Sequence, residues 1–302
     1  TPTSENREDA VLRILAHADA LPLDKLGFSD SNLTKFRKIV EKPYGIILCV
    51  GPTGSGKTTT LHAALGHINT PERKIWTAED PIEITQTRLR QVQVKPEIGF
   101  SFQEALRSFL RADPDVIMIG EMRDLETTKT AIEASLTGHL VFSTLHTNSA
   151  AETVARLIEM GIEPYNFADA LIGILAQRLC RRLCVKCKIE ASITEDDHNM
   201  LTDAYGSELY AIDGMPKNYK DIKIARAHQC RHCNGLGFAG RLAVHELLVN
   251  NDEIKQAIQK NEQTDIILNL AIKGGMRSLR TDGIKKVINK ATTLKEILRV
   301  TG

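Results

Sequence analysis

The sequence predicts an α/β fold: a mainly parallel sheet covered by helices, followed by a cysteine-bearing module and a small helical end. Three observations carry this expectation. Between residues 32 and 160, short apolar runs rich in β-formers alternate with segments of helical period. A glycine-rich turn, GPTGSGKT at residues 51–58, joins one such run directly to a helix. Four of the six cysteines form two CxxC pairs, at 184–187 and 230–233.

Taken in order, residues 1–22 hold one strand-like stretch, AVLRIL, then polar and turn residues. The first residue is not Met, and TPTSENREDAVLRIL is expected to begin without a helix or strand start of its own; it reads as cut from something longer at its N-terminus. Residues 32–42 have helical period, with Leu33, Phe36, Ile39 and Val40 sharing a face. After Pro43, residues 45–50 form a short β-rich run, as expected of a strand buried on both faces. Further strands are expected over 74–77, 90–94, 116–119 and 140–144, and helices over 57–67, 102–110, 125–136 and 150–160. Ser149 with Glu152 makes a capping box for the last helix, and Gly161 suits its stop. From about Arg181 the texture changes. Residues 184–240 are Cys-, Gly- and polar-rich with weak period, and 252–300 read as short helices, the last opened by a capping box of Thr293 with Glu296. No internal repeat or low-complexity segment is found.

With 302 residues the chain is long enough for a full core and one or two small modules. Its 39 basic and 38 acidic residues nearly cancel, so no global basic field announces a nucleic-acid or membrane partner. The longest apolar runs, such as YGIILCV, are far short of the roughly 20 residues a membrane span needs. No secretory signal is visible. Paired CxxC motifs suit a reducing cytoplasm and a metal better than a disulfide framework.

The turn at 51–58 fits G-x-x-x-x-G-K-[ST] and sits directly after a strand and at a helix start, where this motif must sit. Gly51, Gly54 and Gly56 let backbone N–H groups turn inward around phosphates, and the helix N-terminus adds its dipole. Lys57 then reaches the β and γ phosphates and the Thr58 hydroxyl serves Mg²⁺. The expected nucleotide-binding set is Gly51, Pro52, Thr53, Gly54, Ser55, Gly56, Lys57, Thr58 and Thr59, with ATP and Mg²⁺ as ligands.

Hydrolysis also needs a carboxylate near the magnesium and another group to orient the attacking water. Glu121 stands just past the apolar run at 116–119, separated from it by Gly120, and reads as the Walker B-type acid. Glu79, in AEDPIE, is then free to act as base. Asp80 and Glu83 read as a turn cap and a residue split between site and solvated face. His139 and His146 flank the expected strand 140–144. Ligands of open α/β sheets bind at the carboxyl ends of strands, which favours His146 as a γ-phosphate sensor and a structural hydrogen bond for His139. Arg107, Arg111 and Arg123 stay unranked between the γ-phosphate, a subunit interface and simple ion pairs.

Cys184, Cys187, Cys230 and Cys233 are the expected ligands of a structural Zn²⁺, each CxxC knuckle supplying two thiolates to a tetrahedron. Residues 188–229 between the pairs exceed a compact finger loop, so the module reads as a stapled insertion. His232 is an alternative ligand that the symmetry of the pairs disfavours. Cys180 and Cys49 read as core.

Taken together, these residues resemble the secretion traffic ATPases of type II secretion and type IV pilus assembly. The Walker A loop, the Asp box TAEDPIE, the Walker B segment ending in Glu121 and the His box TGHLVFSTLHTN occur in the family's order. LRSFLRADPD, QRLCRRLC and GFAGRLAVHELL also look like family sequence, so the resemblance covers nearly the whole chain. It implies a RecA-like P-loop core with helices on both faces of the sheet, acting as a homo-hexamer in which Glu79 is the catalytic base, Glu121 the Walker B acid and His146 a neighbour of the γ-phosphate. It also implies arginines supplied by a preceding PAS-like domain, with Arg13 as one of them and the other upstream of Thr1. The tetracysteine resembles that of assembly and secretion members rather than retraction ATPases. The expected location is cytoplasmic, peripheral to an inner-membrane platform protein. The domains expected are 1–22, the end of the PAS-like domain and linker; 23–180, the ATPase core; 181–240, the zinc module; and 241–302, a C-terminal helical domain. Two other readings compete: a RecA-like nucleic-acid motor, disfavoured by the neutral chain and few stacking aromatics, and a non-hydrolysing nucleotide-dependent scaffold, which has little need of Glu79, Glu121 and His146.

Overall fold

The computed structural model describes residues 2–4, 7–8 and 19–302. At the start, β1 (Pro2–Ser4) and β2 (Arg7–Glu8) pair antiparallel, where the sequence suggested no strand start. Arg13 and the AVLRIL stretch lie outside the described residues.

The alternation then unfolds nearly as expected: α1 (Asp30–Val40), β3 (Gly45–Val50), α2 (Lys57–Ile68), β4 (Ile75–Glu79), β5 (Arg90–Gln93), α3 (Phe102–Leu110), β6 (Val116–Ile119), α4 (Leu125–Leu136), β7 (Leu140–Leu145), α5 (Ala150–Glu159) and α6 (Pro164–Ala170). Side-chain caps explain several helix starts. Ser29, Ser101, Asp124 and Ser149 each accept a backbone N–H three residues on. The Ser149 cap is only half of a capping box, because the Glu152 carboxylate accepts the N–H of Asn148 instead of that of Ser149.

Beyond α6 the chain forms β8 (Leu171–Leu183), β9 (Ile189–Ser192), α7 (Glu195–Tyr205), α8 (Ser207–Ile212), β10 (Lys223–Arg226) and β11 (Phe238–Val249). Four helices close it: α9 (Asp252–Gln259), α10 (Thr264–Lys273), α11 (Leu279–Ile288) and α12 (Leu294–Thr301). The sequence reading assigned no strand to β8 or β11. In β8, Ile172, Leu175, Leu179, Cys180 and Leu183 recur at helix-like spacing, and only pairing with β3 and β11 resolves the ambiguity.

Seven strands make one sheet in the order β11-β8-β3-β7-β6-β4-β5, all parallel except β11. The crossover through α2 runs from β3 toward the β5 edge, whereas those through α3, α4 and α5–α6 run back toward β11. Right-handed crossovers in opposite directions place their helices on opposite faces, and two cores result. One packs Ile46, Leu48, Val50, Ile117 and Ile119 against α3–α6, α9 and α10. The other packs Ile47, Cys49, Val116, Met118 and Phe142 against α1 and α2. β3 is thus buried on both faces, as its sequence predicted. The β8/β11 pair runs on past the sheet, through residues 180 and 240, into a third core with α7, α8, α11 and α12. Among the described residues, no helix is long and apolar enough to cross a membrane.

Candidate active site and metal centre

Register brings the carboxyl ends of four parallel strands to one edge. Val50 of β3 lies opposite Leu145 of β7 and Ala176 of β8, Ser143 of β7 opposite Ile119 of β6, and Ile119 opposite Ala78 of β4. Gly51, His146 and Gly120–Glu121 follow the ends of β3, β7 and β6, Glu79 is the last residue of β4, and Gln177 stands at the same level within β8, which runs on to Leu183. β7 separates the P-loop strand from the Glu121 strand, so at about 4.8 Å per strand those two ends stand roughly 10 Å apart. The crossovers leaving β3 and β7 diverge, which makes the crevice between their ends the topological switch point where open sheets bind ligands.

The turn at 51–58 forms a cradle only glycines allow. Gly51, Gly54 and Gly56 have φ of 149°, 77° and 89°. A Cβ at Gly51 would stand 2.4 Å from the Gln177 carbonyl oxygen, and one at Gly56 would meet Gln177 Nε2 at 2.8 Å. At Gly54 no heavy atom lies within 4 Å of that position, and Pro52, Thr53 and Gly54 form an exposed crown. Gly56 caps α2, whose first N–H groups, those of Lys57, Thr58 and Thr59, open onto the turn. Buried Lys57 donates from Nζ to Gly51 O at 2.8 Å and Pro52 O at 3.1 Å. Burial lowers its pKa and Arg178 adds to this, while Cys49 and Glu121 act against it. An inward-turned, glycine-lined loop with a lysine at its base fits a polyphosphate.

Gln177 braces this loop from β8. Its Nε2 donates to Ser55 O at 2.6 Å, and its Oε1 accepts from Thr60 Oγ1 at 2.7 Å. Arg178, next on the strand, donates to both the carbonyl and the side-chain oxygen of Asn148 beyond β7. The sequence reading missed both residues. The available signal was a glutamine ending the apolar run LIGILA, since a buried amide needs specific partners.

Glu121 sits where predicted, one residue past Gly120, with its side chain 17% exposed. Its carboxylate accepts from Arg123 Nε at 2.7 Å and lies 3.1 Å from His146 Nε2. The β6 and β7 ends are stitched together: Ser143 Oγ donates to Ile119 O and Thr144 Oγ1 to Gly120 O. Arg123 therefore serves an ion pair at the site, and Arg107 pairs with Glu126 on the surface. His139, at the opposite end of β7, has its Nδ1 2.9 Å from Ala134 O, which fits the structural role expected of it.

Glu79 ends β4 and is only 3% exposed. Its described contacts run to His62 of α2, Thr77 and Gln91 rather than to Glu121 or His146. Burial would raise the carboxyl pKa, but the hydrogen bonds from His62, Thr77 and Gln91 outweigh it and leave the pKa lowered.

Across the molecule, Cys184 follows β8 and Cys233 precedes β11, so two knuckles meet at the far end of the ribbon. The four sulfurs of Cys184, Cys187, Cys230 and Cys233 lie within 4.8 Å of one another. Three of the separations are 3.9, 3.8 and 3.6 Å, close to the ~3.8 Å edge of a tetrahedron with 2.3 Å Zn–S bonds. The Gly237 N–H donates to Cys233 Sγ at 3.2 Å, the kind of outer contact that orients a ligand. The donor set is thus compatible with zinc. Cys49 and Cys180 are buried core thiols with pKa raised by burial, that of Cys49 to about 12.

A seven-stranded sheet with a glycine cradle at the point where its crossovers diverge belongs to the RecA-like class of P-loop proteins. Residues 1–299 match the family model "Type II/IV secretion system protein". The chain is 45% identical over 296 residues to the type IV pilus assembly ATPase PilB of Thermus thermophilus, covering 96% of this chain and 32% of that protein. It is 43% identical over 302 residues to the type II secretion system ATPase E of Vibrio cholerae, covering 100% of this chain and 57% of that one. Among solved structures, the pilus retraction motor PilT with bound ADP superposes with a TM-score of 0.66 at 28% identity, over 95% of this chain and 68% of that one. The chain therefore belongs to the type II/IV secretion system protein family, and it spans about a third to just over half the length of these two curated relatives.

Proposed function

We propose that this chain is the ATPase region of a hexameric traffic ATPase that powers assembly of a pilus or pseudopilus. The observation that carries the reading is the convergence on one sheet edge of the glycine cradle with Lys57, the Glu121–His146 pair and buried Glu79. Gly51 to Thr59 bind the phosphates of ATP, and the Thr58 hydroxyl and Glu121 attend its Mg²⁺. Glu79 takes the proton of the water whose oxygen attacks the γ-phosphorus, the β–γ bridging oxygen leaves with ADP, and the proton passes on to solvent. His146 reports the γ-phosphate to Glu121. Cys184, Cys187, Cys230 and Cys233 hold structural zinc. The working division is residues 23–180 as ATPase core, 181–240 as zinc module and 241–302 as helical domain, with an inner-membrane platform protein as partner on the cytoplasmic side. The names of the two curated relatives support the secretion and pilus reading, and ADP in the retraction motor supports the nucleotide.

The test is the specific ATPase rate against protein concentration, on zinc-loaded chain with Mg²⁺. A rate per chain that rises with concentration, and vanishes in Lys57→Ala, is expected of sites completed between subunits. A flat, near-zero rate with intact ATP binding means that the preceding domain and its arginine are required, or that this P-loop is only a nucleotide-dependent switch. Normal hydrolysis by Lys57→Ala overturns the site itself.

A further inference from the structure

A carboxylate as deep as that of Glu79 needs donors, and it has three. Oε1 accepts from Thr77 Oγ1 at 2.6 Å and from Gln91 Nε2 at 2.9 Å, and Oε2 lies 3.0 Å from His62 Nε2. Behind His62 stands Gln86. Its Nε2 faces the His62 carbonyl at 2.9 Å and the ring Nδ1 at 2.8 Å, and its backbone N–H donates to Gln91 Oε1 at 2.9 Å. Four residues, Glu79, His62, Gln86 and Gln91, thus close a ring of hydrogen bonds around the carboxylate.

The ring fixes where the protons are. A carbonyl oxygen only accepts, so the Gln86 group facing the His62 carbonyl is its NH₂, and the same NH₂ donates to Nδ1. The imidazole proton must then sit on Nε2, aimed at Glu79. Of the roughly four lone-pair sites of a carboxylate, two on Oε1 and one on Oε2 are taken. The site left open is on Oε2, beside the His62 N–H, and the direction of that N–H sets where it points.

That direction has a reference. His62 follows Thr58 by four residues on α2, one turn and ~6 Å further along the same helix face. Gly66 is the next residue of that stripe. A Cβ there would stand 3.1 Å from Gln86 Oε1, so the glycine leaves Gln86 its place.

We propose that His62 is a positioning residue for Glu79, donating from Nε2 to hold the open lone pair of Oε2 toward the Thr58 face of α2, with Gln86 fixing the tautomer. The inference rests on the reading of Glu79 as the base for the attacking water. Nothing in the phosphate-loop, Asp-box, Walker B or His-box motifs assigns His62.

The test compares His62→Ala and His62→Gln in the full chain, by steady-state hydrolysis and Mg²⁺–ATP titration. His62→Ala is expected to lower kcat roughly 10- to 100-fold, as misplacement of a reacting group does, with KM and Kd within about twofold. His62→Gln puts an amide N–H at a similar reach and is expected to recover kcat to within about threefold. Equal rates for His62→Ala and the parent, a His62→Gln as poor as His62→Ala, or a loss that falls on Kd overturns the proposal. Glu79→Gln separates the two claims: full turnover in that variant removes Glu79 as base, whatever His62 does. A readout independent of turnover is the imidazole ¹⁵N spectrum. An Nε2–H tautomer whose Nε2 resonance moves in Glu79→Gln is expected, and an Nδ1–H tautomer or an unmoved resonance overturns the contact.

Discussion

Gln177 shows how one side chain can set the shape of a loop it does not belong to. It is 2% exposed and bridges the buried Ser55 carbonyl of the P-loop to the Thr60 hydroxyl in the first turn of α2. Its backbone oxygen and its amide nitrogen also occupy the space that a Cβ at Gly51 or Gly56 would need. Replacing Gln177 by Ala strands a buried carbonyl and a buried hydroxyl, each at about 1–3 kcal/mol, and the loop loses its pre-formed shape. The Mg²⁺–ATP Kd of Gln177→Ala is expected to rise about tenfold, corresponding to ~1.4 kcal/mol. Gln177→Glu keeps the acceptor for Thr60 but sets a carboxylate against the Ser55 oxygen, so it should bind no better than the Ala variant. Titration with a fluorescent nucleotide analogue checks both, and parental affinity in the two variants would remove Gln177 from the site.

Among the elements, the long β8/β11 ribbon joins the sheet to the third core, and Glu296 shows how it is held. This carboxylate at the start of α12 is 2% exposed and accepts from Arg181 of β8 at 2.5 Å and from Arg299 at 2.9 Å. The Arg181 hydrogen bond, supported by Arg299 and partly offset by burial, lowers its pKa from 4.5 to about 2. A folded-state pKa below the unfolded value gives stability that is present above about pH 4.5 and lost as pH falls toward 2. Both guanidiniums are more than half exposed, so the contribution is discounted to about 1–2 kcal/mol. Glu296→Gln should therefore melt a few degrees below the parent at pH 7, and the gap should narrow between pH 5 and pH 3 in a thermal-melt series. A gap independent of pH would mean that packing rather than charge holds α12. The same contact explains why Thr293 and Glu296 make only half of the expected capping box: the Thr293 hydroxyl accepts the Glu296 N–H, but the Glu296 carboxylate goes to the arginines. Legibility divides along this line. β3, α2, β6 and α4 are written locally, in apolar runs bounded by glycines and an Asp124 cap, and so are the P-loop and Glu121. β8 is not, because its apolar residues fit a helix stripe until β3 and β11 pair with it, and Gln177 stayed hidden with it. His62 stayed hidden for a related reason: a lone histidine in a helix carries no meaning until β4 and β5 bring Glu79 and Gln91 beside it.

At the scale of the whole molecule, β8 links two sites. Gln177 touches the P-loop, and Cys184 follows the last residue of the same strand. The cysteine cluster staples the far ends of β8 and β11, while the P-loop is built from β3 and α2 within the two cores of the sheet. Between the knuckles, β10, α7 and α8 lean on the third core with α11 and α12, and β9 is attached through its pairing with β10. Their attachment at both ends depends on four sulfurs at tetrahedral spacing. If zinc closes that cluster, losing it frees residues 188–229 at both ends and leaves the sheet cores as they were. Structural zinc binds with an apparent ~10–16 kcal/mol at neutral pH. Protein purified without chelator is therefore expected to hold one zinc per chain. Stripping the metal at neutral pH should open residues 188–229 to limited proteolysis while the Mg²⁺–ATP Kd stays within about twofold. Metal analysis with mass mapping of the fragments reads the first part, and nucleotide titration the second. Zinc well below one per chain, or cleavage unchanged by chelation, would mean that the thiols hold the ribbon without a metal. A Kd that rises with metal loss would mean instead that β8 transmits the state of the zinc module to the P-loop through Gln177.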